Sequence, residues 1–152
     1  MAKKSLTIVI ILLFLFCNIS FTTLSVKNKD FQYSNIIYVD DDSAADYTRI
    51  QDAIDNASQG DTIFVYNGVY FENVIVDKTI NLIGEDKEKT IVDGGGINDT
   101  ILITADGVTV KGFNVTNSGD YSEGIIIDAD RVTIENNTIF LHIHMWATGI
   151  LI

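Results

Sequence analysis

Acidic residues are the first candidates for chemistry in this sequence. Asp40, Asp41 and Asp42 follow one another directly, and carboxylate oxygens are ligands that Ca²⁺ prefers. A calcium site takes about six to eight oxygens, and the surrounding sequence brings no further ligands to this run. We therefore interpret the three aspartates as a solvated turn after a strand, with Ca²⁺ binding as the alternative.

Asp106 and Asp130 form a second acidic pair, because they occupy equivalent positions in two similar segments. If their carboxylates lie close together, they could hold Ca²⁺ or share a proton as a general acid and base. Arg131 directly follows Asp130 and can neutralise the pair. We therefore predict a structural corner, assign no catalytic residue and keep both aspartates only as candidate metal ligands.

The acceptor sequence for N-glycosylation, Asn-x-Ser/Thr, occurs four times after residue 25. The four asparagines are Asn56, Asn98, Asn114 and Asn136. Asn114 and Asn136 lie within or beside predicted strands, where Asn and Thr also serve as turn and ladder residues. Asn98 follows the glycine run 94–96, so we favour it as the acceptor.

A repeat positions these residues. Segments 101–110 and 125–134 match in pattern, and Gly124-Ile-Ile-Ile recurs as Gly149-Ile-Leu-Ile. The period of this repeat is in the twenties, which indicates a stacked architecture, because one unit cannot bury its apolar face alone. Each unit holds short alternating runs rich in β-branched residues, which predicts three strands per unit.

Three short strands per turn, with Gly, Asn and Asp at the corners, form one rung of a parallel β-helix. Equivalent strands of successive rungs pair at about 4.8 Å. The sequence thus predicts an all-β solenoid in which Ile125 and Ile127 point inward and Ile126 points outward. The expected stacking partners of the inward pair are Ile101, Ile103, Ile150 and Ile152.

The segment before the repeat predicts a lid for the solenoid. Ile36–Val39 reads as a strand. Thr48 and Gln51 have the spacing of a helix capping box, apolar residues follow at helical spacing, and Gly60 is expected to stop the helix. A short amphipathic helix here would cover the exposed apolar end of the first rung.

The first full rung is expected to follow the lid. Residues 61–66 predict its first strand and Asn67-Gly68 a turn, while apolar positions between Val74 and Ile91 complete the rung. Gly84 is expected to occupy the position that Gly112 occupies in the next rung.

Residues 1–25 read as a signal peptide. Lys3 and Lys4 precede an apolar run from Leu6 to Cys17, which falls short of the roughly 20 residues of a membrane span. We expect cleavage near Ser25, with an uncleaved anchor as the alternative, and a linker over residues 26–35. The predicted location is secreted, periplasmic or at the cell surface.

The chain is acidic and fits one folded domain, residues 36–152. Its 152 residues carry 10 basic and 21 acidic side chains, a net charge of −11, which becomes −13 once Lys3 and Lys4 are removed. An acidic surface repels nucleic acid and anionic lipid, so we expect no nucleic-acid partner and no membrane contact beyond the signal segment. The sequence has no proline, which fits rungs that need every backbone N–H for pairing.

Part of the sequence resembles a known family. The residues that carry the resemblance are Tyr47-Thr-Arg-Ile-Gln-Asp-Ala-Ile-Asp-Asn-Ala, Gly60-Asp-Thr-Ile-Phe-Val-Tyr-Asn-Gly-Val-Tyr-Phe-Glu-Asn-Val and Ile80-Asn-Leu-Ile-Gly. They look like the cap and first rung of right-handed parallel β-helix proteins of the pectin-lyase-like superfamily. Gly-Ile-x-Ile and Asn136-Asn-Thr-Ile139 are similar to repeats of its carbohydrate-binding and sugar-hydrolysis group, which includes the NosD-like copper-accessory proteins.

The resemblance covers about residues 36–140 and implies the fold. The lyases of this superfamily cluster acidic calcium ligands with a basic catalytic residue, and its hydrolases cluster several aspartates. Neither motif is found in this sequence, so no catalytic residue is carried over and the ligand-binding residues stay unknown.

His142 and His144 are the candidates for copper that the NosD-like resemblance suggests. In a strand, both imidazoles would lie on one face, and Met145 could add a soft thioether ligand for Cu(I). Two histidines do not complete a site, and the sequence shows no third and fourth ligand. We therefore predict no resident cofactor, with Ca²⁺ at the acidic residues as the alternative.

Three functions stay open at this stage. The first is an exported or cell-surface module that binds a polysaccharide or envelope glycan, or acts as a scaffold, without catalysis of its own. The second is the N-terminal part of a polysaccharide lyase or glycoside hydrolase, and the third is a NosD-like accessory protein for copper-site assembly. Because a new rung begins at Gly149 without a terminal cap, we expect a C-terminally truncated domain that self-associates through its open end.

Overall fold

The computed structural model describes residues 34–42, 45–140 and 150–151. These residues belong to one compact unit, Gln32–Ile152. In this part of the chain the backbone forms one helix, α1 (Ile50–Asn56), and thirteen short strands. All of the strand pairings are parallel.

The strands form three sheets, and each full rung contributes one strand to every sheet. The first sheet contains β1 (Ile36–Val39), β2 (Thr62–Val65), β5 (Asn81–Gly84), β8 (Thr109–Lys111) and β11 (Thr133–Glu135). The second contains β3 (Gly68–Phe71), β6 (Thr90–Asp93), β9 (Asn114–Thr116) and β12 (Thr138–Ile139). The third contains β4 (Val74–Val76), β7 (Ile101–Ile103), β10 (Ile125–Ile127) and β13 (Ile150–Leu151). The predicted all-β parallel solenoid is confirmed.

The register between rungs follows the sequence repeat. Ile125 pairs with Ile101 below it and with Ile150 above it, as the alignment of the repeated segments predicts. Ile125 is fully buried and Ile127 packs against the core cluster, while Ile126 pairs with Leu102 on the outer side of the sheet. Ile152 lies outside the described residues.

The core fills the interior between the three sheets with aliphatic side chains. In β7, Ile101 and Ile103 are fully buried while Leu102 between them is partly exposed. The same alternation runs through β2 and β4, because successive side chains of a strand point to opposite faces. Phe113 is the largest of the fully buried side chains among the described residues.

A pair of stacked glycines forms the corner after the first sheet. A Cβ atom on Gly84 would collide with the backbone carbonyl of Gly112, and a Cβ on Gly112 would collide with the carbonyl of Gly84. Gly112 also has φ +83°, which favours glycine. The predicted equivalence of these two positions is confirmed.

The predicted capping of the helix is wrong. Arg49, not Thr48, is the N-cap residue, and its side chain makes no capping hydrogen bond. Instead, the buried carboxylate of Glu72 accepts hydrogen bonds from the N–H groups of Ile50 (2.9 Å) and Gln51 (3.1 Å). A residue of the first rung therefore caps the helix, which ties the lid to the solenoid.

The end of the helix and the extent of the first rung also differ from the prediction. The helix ends at Asn56 and is followed by Ala57 in an extended conformation, so Gly60 does not stop it. The segment expected to hold only a turn at Asn67-Gly68 continues as strand β3. The first rung is therefore β2, β3 and β4, and Asn81–Gly84 already belongs to the second rung.

Candidate functional site

The outer face of the first sheet carries a column of aromatic and aliphatic side chains. Residues in register on parallel strands stack directly above one another, so the outward-facing residues form columns across the rungs. One column consists of Tyr38, Phe64, Ile83, Lys111 and Glu135. The neighbouring column consists of Ile36, Thr62, Asn81, Thr109 and Thr133. We call these two columns, with Tyr66 and Glu85 beside them, the aromatic face.

Three rings cluster at one end of the aromatic face. The ring centroids of Tyr38 and Tyr66 lie 5.9 Å apart with nearly parallel planes, at 19°. Phe64 packs edge-on against both, at 6.1 Å from Tyr38 and 5.3 Å from Tyr66. Such distances are those of favourable aromatic pairs, so the three rings hold one another in position as a cluster.

An open groove of about 470 Å³ lies on the aromatic face. Its floor is apolar, formed by the three rings with Ile36 and Ile83, and its polar boundary comes from Thr62, Glu85 and Lys111. Ligand sites typically combine an apolar surface with a few placed polar groups. The groove has this composition.

Hydrogen bonds hold the polar side of the groove in place. The Asn81 side-chain amide donates to the Thr62 hydroxyl across adjacent rungs at 3.4 Å. One carboxylate oxygen of Glu85 accepts from the N–H of Asn67 at 3.0 Å. Strand register places Thr109 and Thr133 in line with Thr62 and Asn81, so the four residues form a row of hydroxyl and amide groups beside the column that contains Tyr38 and Phe64.

The outer edge of β1 is covered by residues of the following turn. The N–H of Tyr38 donates to a carboxylate oxygen of Asp46 at 2.8 Å, and the carbonyl of Tyr38 accepts from the N–H groups of Asp46 and Tyr47 at 3.1 Å. These bonds satisfy the outward N–H and C=O groups of Tyr38 at the edge of the sheet. They also fix the backbone that positions the Tyr38 ring.

Asp40, Asp41 and Asp42 lie at the end of β1, with carboxylate oxygens within 4.8 Å of one another. Asp41 accepts the N–H of Val69 at 2.9 Å, which joins this turn to β3. The neighbouring Asp40 carboxylate raises the pKa of Asp42, because like charges disfavour ionisation. The run thus serves a structural contact, and Ca²⁺ binding stays the alternative to the predicted solvated turn.

Asp106 and Asp130 are brought together at equivalent corners of successive rungs. One oxygen of Asp106 accepts the backbone N–H of Asp130 at 2.9 Å, and the other pairs with the Arg131 guanidinium at 2.9 Å. This geometry matches the predicted role of Arg131. It is an arrangement that fits the predicted structural corner, and metal ligation by the two aspartates stays the alternative.

The four candidate glycosylation asparagines differ in accessibility. Asn98 and Asn136 are exposed residues with positive φ. Asn56 is exposed, and its amide donates to the carbonyl of Asp52. The side-chain oxygen of Asn114 is buried without a hydrogen-bond partner. The structure therefore leaves Asn98 well placed as an acceptor and Asn114 poorly placed, although modification stays a prediction.

The candidate copper ligands His142 and His144 lie outside the described residues. The described segments contain no helix that is both long and apolar enough to cross a membrane.

The outer face of the third sheet carries a second apolar column, formed by Ile75, Leu102 and Ile126. It lacks the rings and the row of hydroxyl groups found on the aromatic face.

The sequence interpretation did not identify the aromatic face. Its signal is present in β2, where Phe64 and Tyr66 alternate with the buried Ile63 and Val65, so a period of two places both rings outward. Tyr38 belongs to β1, which is separated from β2 along the chain by the helix. Its position beside the other rings depends on the pairing of β1 with β2.

Sequence comparison gives one informative relative. No protein-family model matches the chain. A cell surface glycoprotein of Methanothermus fervidus is 35% identical over 98 residues, which cover 61% of this chain and 16% of that protein. The chain thus corresponds to a small part of that relative.

Structure comparison defines the fold. A pectin methylesterase from carrot has a TM-score of 0.63 at 19% identity, covering 69% of this chain and 39% of that chain. Pectin methylesterase PemA from Erwinia chrysanthemi has a TM-score of 0.57 at 16% identity, covering 70% and 43%. This chain therefore shares the parallel β-helix fold of these pectin methylesterases, which is the fold that the sequence resemblance implied.

Proposed function

We propose that the chain is a surface or secreted β-helix module that binds a glycan through the aromatic face. The observation that carries this proposal is the combination on one sheet of three clustered rings and an adjacent row of hydroxyl and amide groups. The proposal is for binding without catalysis by this chain.

The chemistry of the face suits a sugar. A sugar ring has C–H groups on its faces, which can pack on aromatic rings, and hydroxyl groups around its edge. Tyr38, Phe64 and Tyr66 supply the apolar platform. Thr62 and Asn81 can donate and accept hydrogen bonds, so they can replace the water that a sugar hydroxyl loses on binding.

The rigidity of the face supports the proposal as well. Most of its side chains project from paired strands, and the backbone of Tyr38 is held by Asp46 and Tyr47. Little ordering is therefore required on binding, and ordering of loops and side chains is a main cost of association.

The predicted location is consistent with this function. The matched relative is a cell surface glycoprotein, and residues 1–25 have the pattern of an export signal. A cell-surface or secreted protein meets envelope and extracellular glycans directly.

A binding experiment with a matched control tests the proposal. Wild-type protein, Phe64→Ala and Phe71→Ala are compared for binding to a panel of soluble polysaccharides, with folding of each variant checked by thermal unfolding. Phe71 is a suitable control, because it is 74% exposed on the outer face of the second sheet. We expect Phe64→Ala to lower the affinity at least about tenfold, about 1.4 kcal/mol, and Phe71→Ala to leave it unchanged.

Binding through the aromatic face would be contradicted if Phe71→Ala lowered the affinity and Phe64→Ala did not. An equal loss of affinity in both variants, each with an intact fold, would contradict it as well. The same samples distinguish binding from catalysis. Release of reducing ends or of unsaturated products, abolished by Asp106→Asn or Asp130→Asn, would replace the binding module with an enzyme.

A further inference from the structure

We infer that the glycan bound by the aromatic face is uncharged. This inference rests on the proposed function and concerns the chemical class of the ligand. It follows from the balance of charges on the face and from the positions of the other basic side chains in the described residues.

The aromatic face carries more negative than positive charge. Lys111 is the one cation among its residues, and Glu135 is its register partner in the next rung. Glu85 lines the same groove as Lys111. A carboxylate or sulfate group entering near Lys111 would therefore also approach two glutamates.

The described arginines are engaged elsewhere. Arg49 pairs with Asp52 and Glu72 at the helix lid, and Arg131 pairs with Asp106 at a corner of the solenoid. Arginine is the side chain whose planar fork binds carboxylates and related anions in a bidentate manner. The aromatic face has no such group.

Two lysines of the described residues likewise have other roles. Lys78 donates to the carbonyl groups of Ile54, Asp55 and Ala57 at the end of α1. Lys89 pairs with Asp86 within the loop after β5. These contacts fix the charges of Lys78 and Lys89 at structural positions outside the groove. Lys87, in the same loop as Lys89, does not line the groove either.

The electrostatic field of the whole chain also disfavours an anionic ligand. The net charge of −11 repels polyanions at low ionic strength, and the run from Asp40 to Asp42 directly follows β1. The neutral groups of the face, in contrast, match sugar hydroxyls without bringing like charges together.

The test compares each acidic polysaccharide with its own neutral derivative. A polymer of uronic acid residues and its carboxyl-reduced form differ at one carbon of each residue, which bears a carboxylate in the first and a neutral CH₂OH group in the second, so the backbone and its linkages are matched. Affinities of wild-type protein are measured for both forms at low and at high salt. We expect the neutral polymer to bind with the same affinity at both salt concentrations. At low salt the acidic polymer should bind at least about tenfold more weakly than the neutral one. At high salt this difference in affinity should be smaller, because salt screens the repulsion.

Variants connect this difference to the face. Glu85→Gln keeps a hydrogen-bond acceptor for Asn67 but removes one negative charge. It should therefore reduce the difference in affinity between the neutral and the acidic polymer at low salt. Asp128→Asn is the control, because it removes a charge from an exposed residue after β10. In this variant the difference in affinity between the two polymers should be the same as in the wild type.

The outcomes separate the two proposals. If the acidic form binds as tightly as the neutral form or more tightly, and the binding requires Phe64, the inference falls while the proposed function stands. If neither form of any polymer binds, or if binding does not depend on Phe64, the proposed function fails and the inference fails with it.

Discussion

Glu72 joins the helix lid to the first rung through a single buried carboxylate. Its two oxygens accept the first free N–H groups of α1, a role that local side chains fill in most helices. The sequence could not show this cap, because Glu72 lies beyond the helix and strand β2, whereas a capping box is recognised only over neighbouring positions.

Tyr70 makes the stability of the protein depend on pH in the alkaline range. Burial, followed by the charges of Asp41 and Asp40, raises the pKa of Tyr70 above its ordinary value of 10.0. The folded state therefore keeps the phenol proton at pH values where the unfolded chain loses it. The stability that this group contributes is fully present below pH 10 and declines as pH rises above it.

Tyr70→Phe should change this pH dependence. The variant loses the hydrogen bond from the Tyr70 hydroxyl to the Tyr66 carbonyl, at 3.0 Å, which should cost about 1 kcal/mol near neutral pH. Above pH 10 its free energy of unfolding should fall less steeply than that of the wild type, as measured by urea unfolding. Tyr121→Phe, at a side chain that is 79% exposed, is the control. If the free energy of unfolding of Tyr70→Phe fell with pH above pH 10 as steeply as that of the wild type, this account of Tyr70 would be contradicted.

Among the elements, the strands of the repeated rungs could be predicted from the sequence. Their corners contain glycine, asparagine and aspartate, and their buried positions alternate with exposed ones, so β7 and β10 could be placed residue by residue. Strand β3 was missed because Asn67-Gly68 has the sequence of a tight turn, while its pairing with β6 is a long-range contact. Tertiary pairing therefore decided what the local pattern left open.

Two substitutions within β7 test the alternation of buried and outer side chains. Ile103→Ala removes a fully buried side chain and should lower the free energy of unfolding by about 2–5 kcal/mol. Leu102→Ala, on the same strand but facing outward, should cost well under half as much, because its side chain is already partly in water. Both values come from urea denaturation of the variants. Equal losses would mean that the strand is shifted by one residue relative to the core.

At the scale of the whole molecule, stacking turns isolated residues into a surface. Tyr38 precedes the helix and Phe64 follows it, yet pairing of β1 with β2 places them side by side. The repeat predicts that such columns exist. It does not identify the residues of β1 as part of one, because β1 lies outside the repeated segments, and for this reason the sequence revealed the fold but not the aromatic face.

The central claim is that a glycan binds on the aromatic face, and an NMR titration with a neutral oligosaccharide tests it most directly. The amide and aromatic signals of the assigned protein are followed as the sugar is added. We predict that the largest shift changes fall on Tyr38, Phe64, Tyr66 and Ile83, with small changes at Phe71 and Ile75 on the other two sheets. Shift changes concentrated on the second or third sheet, with the signals of the aromatic face unmoved, would contradict the claim.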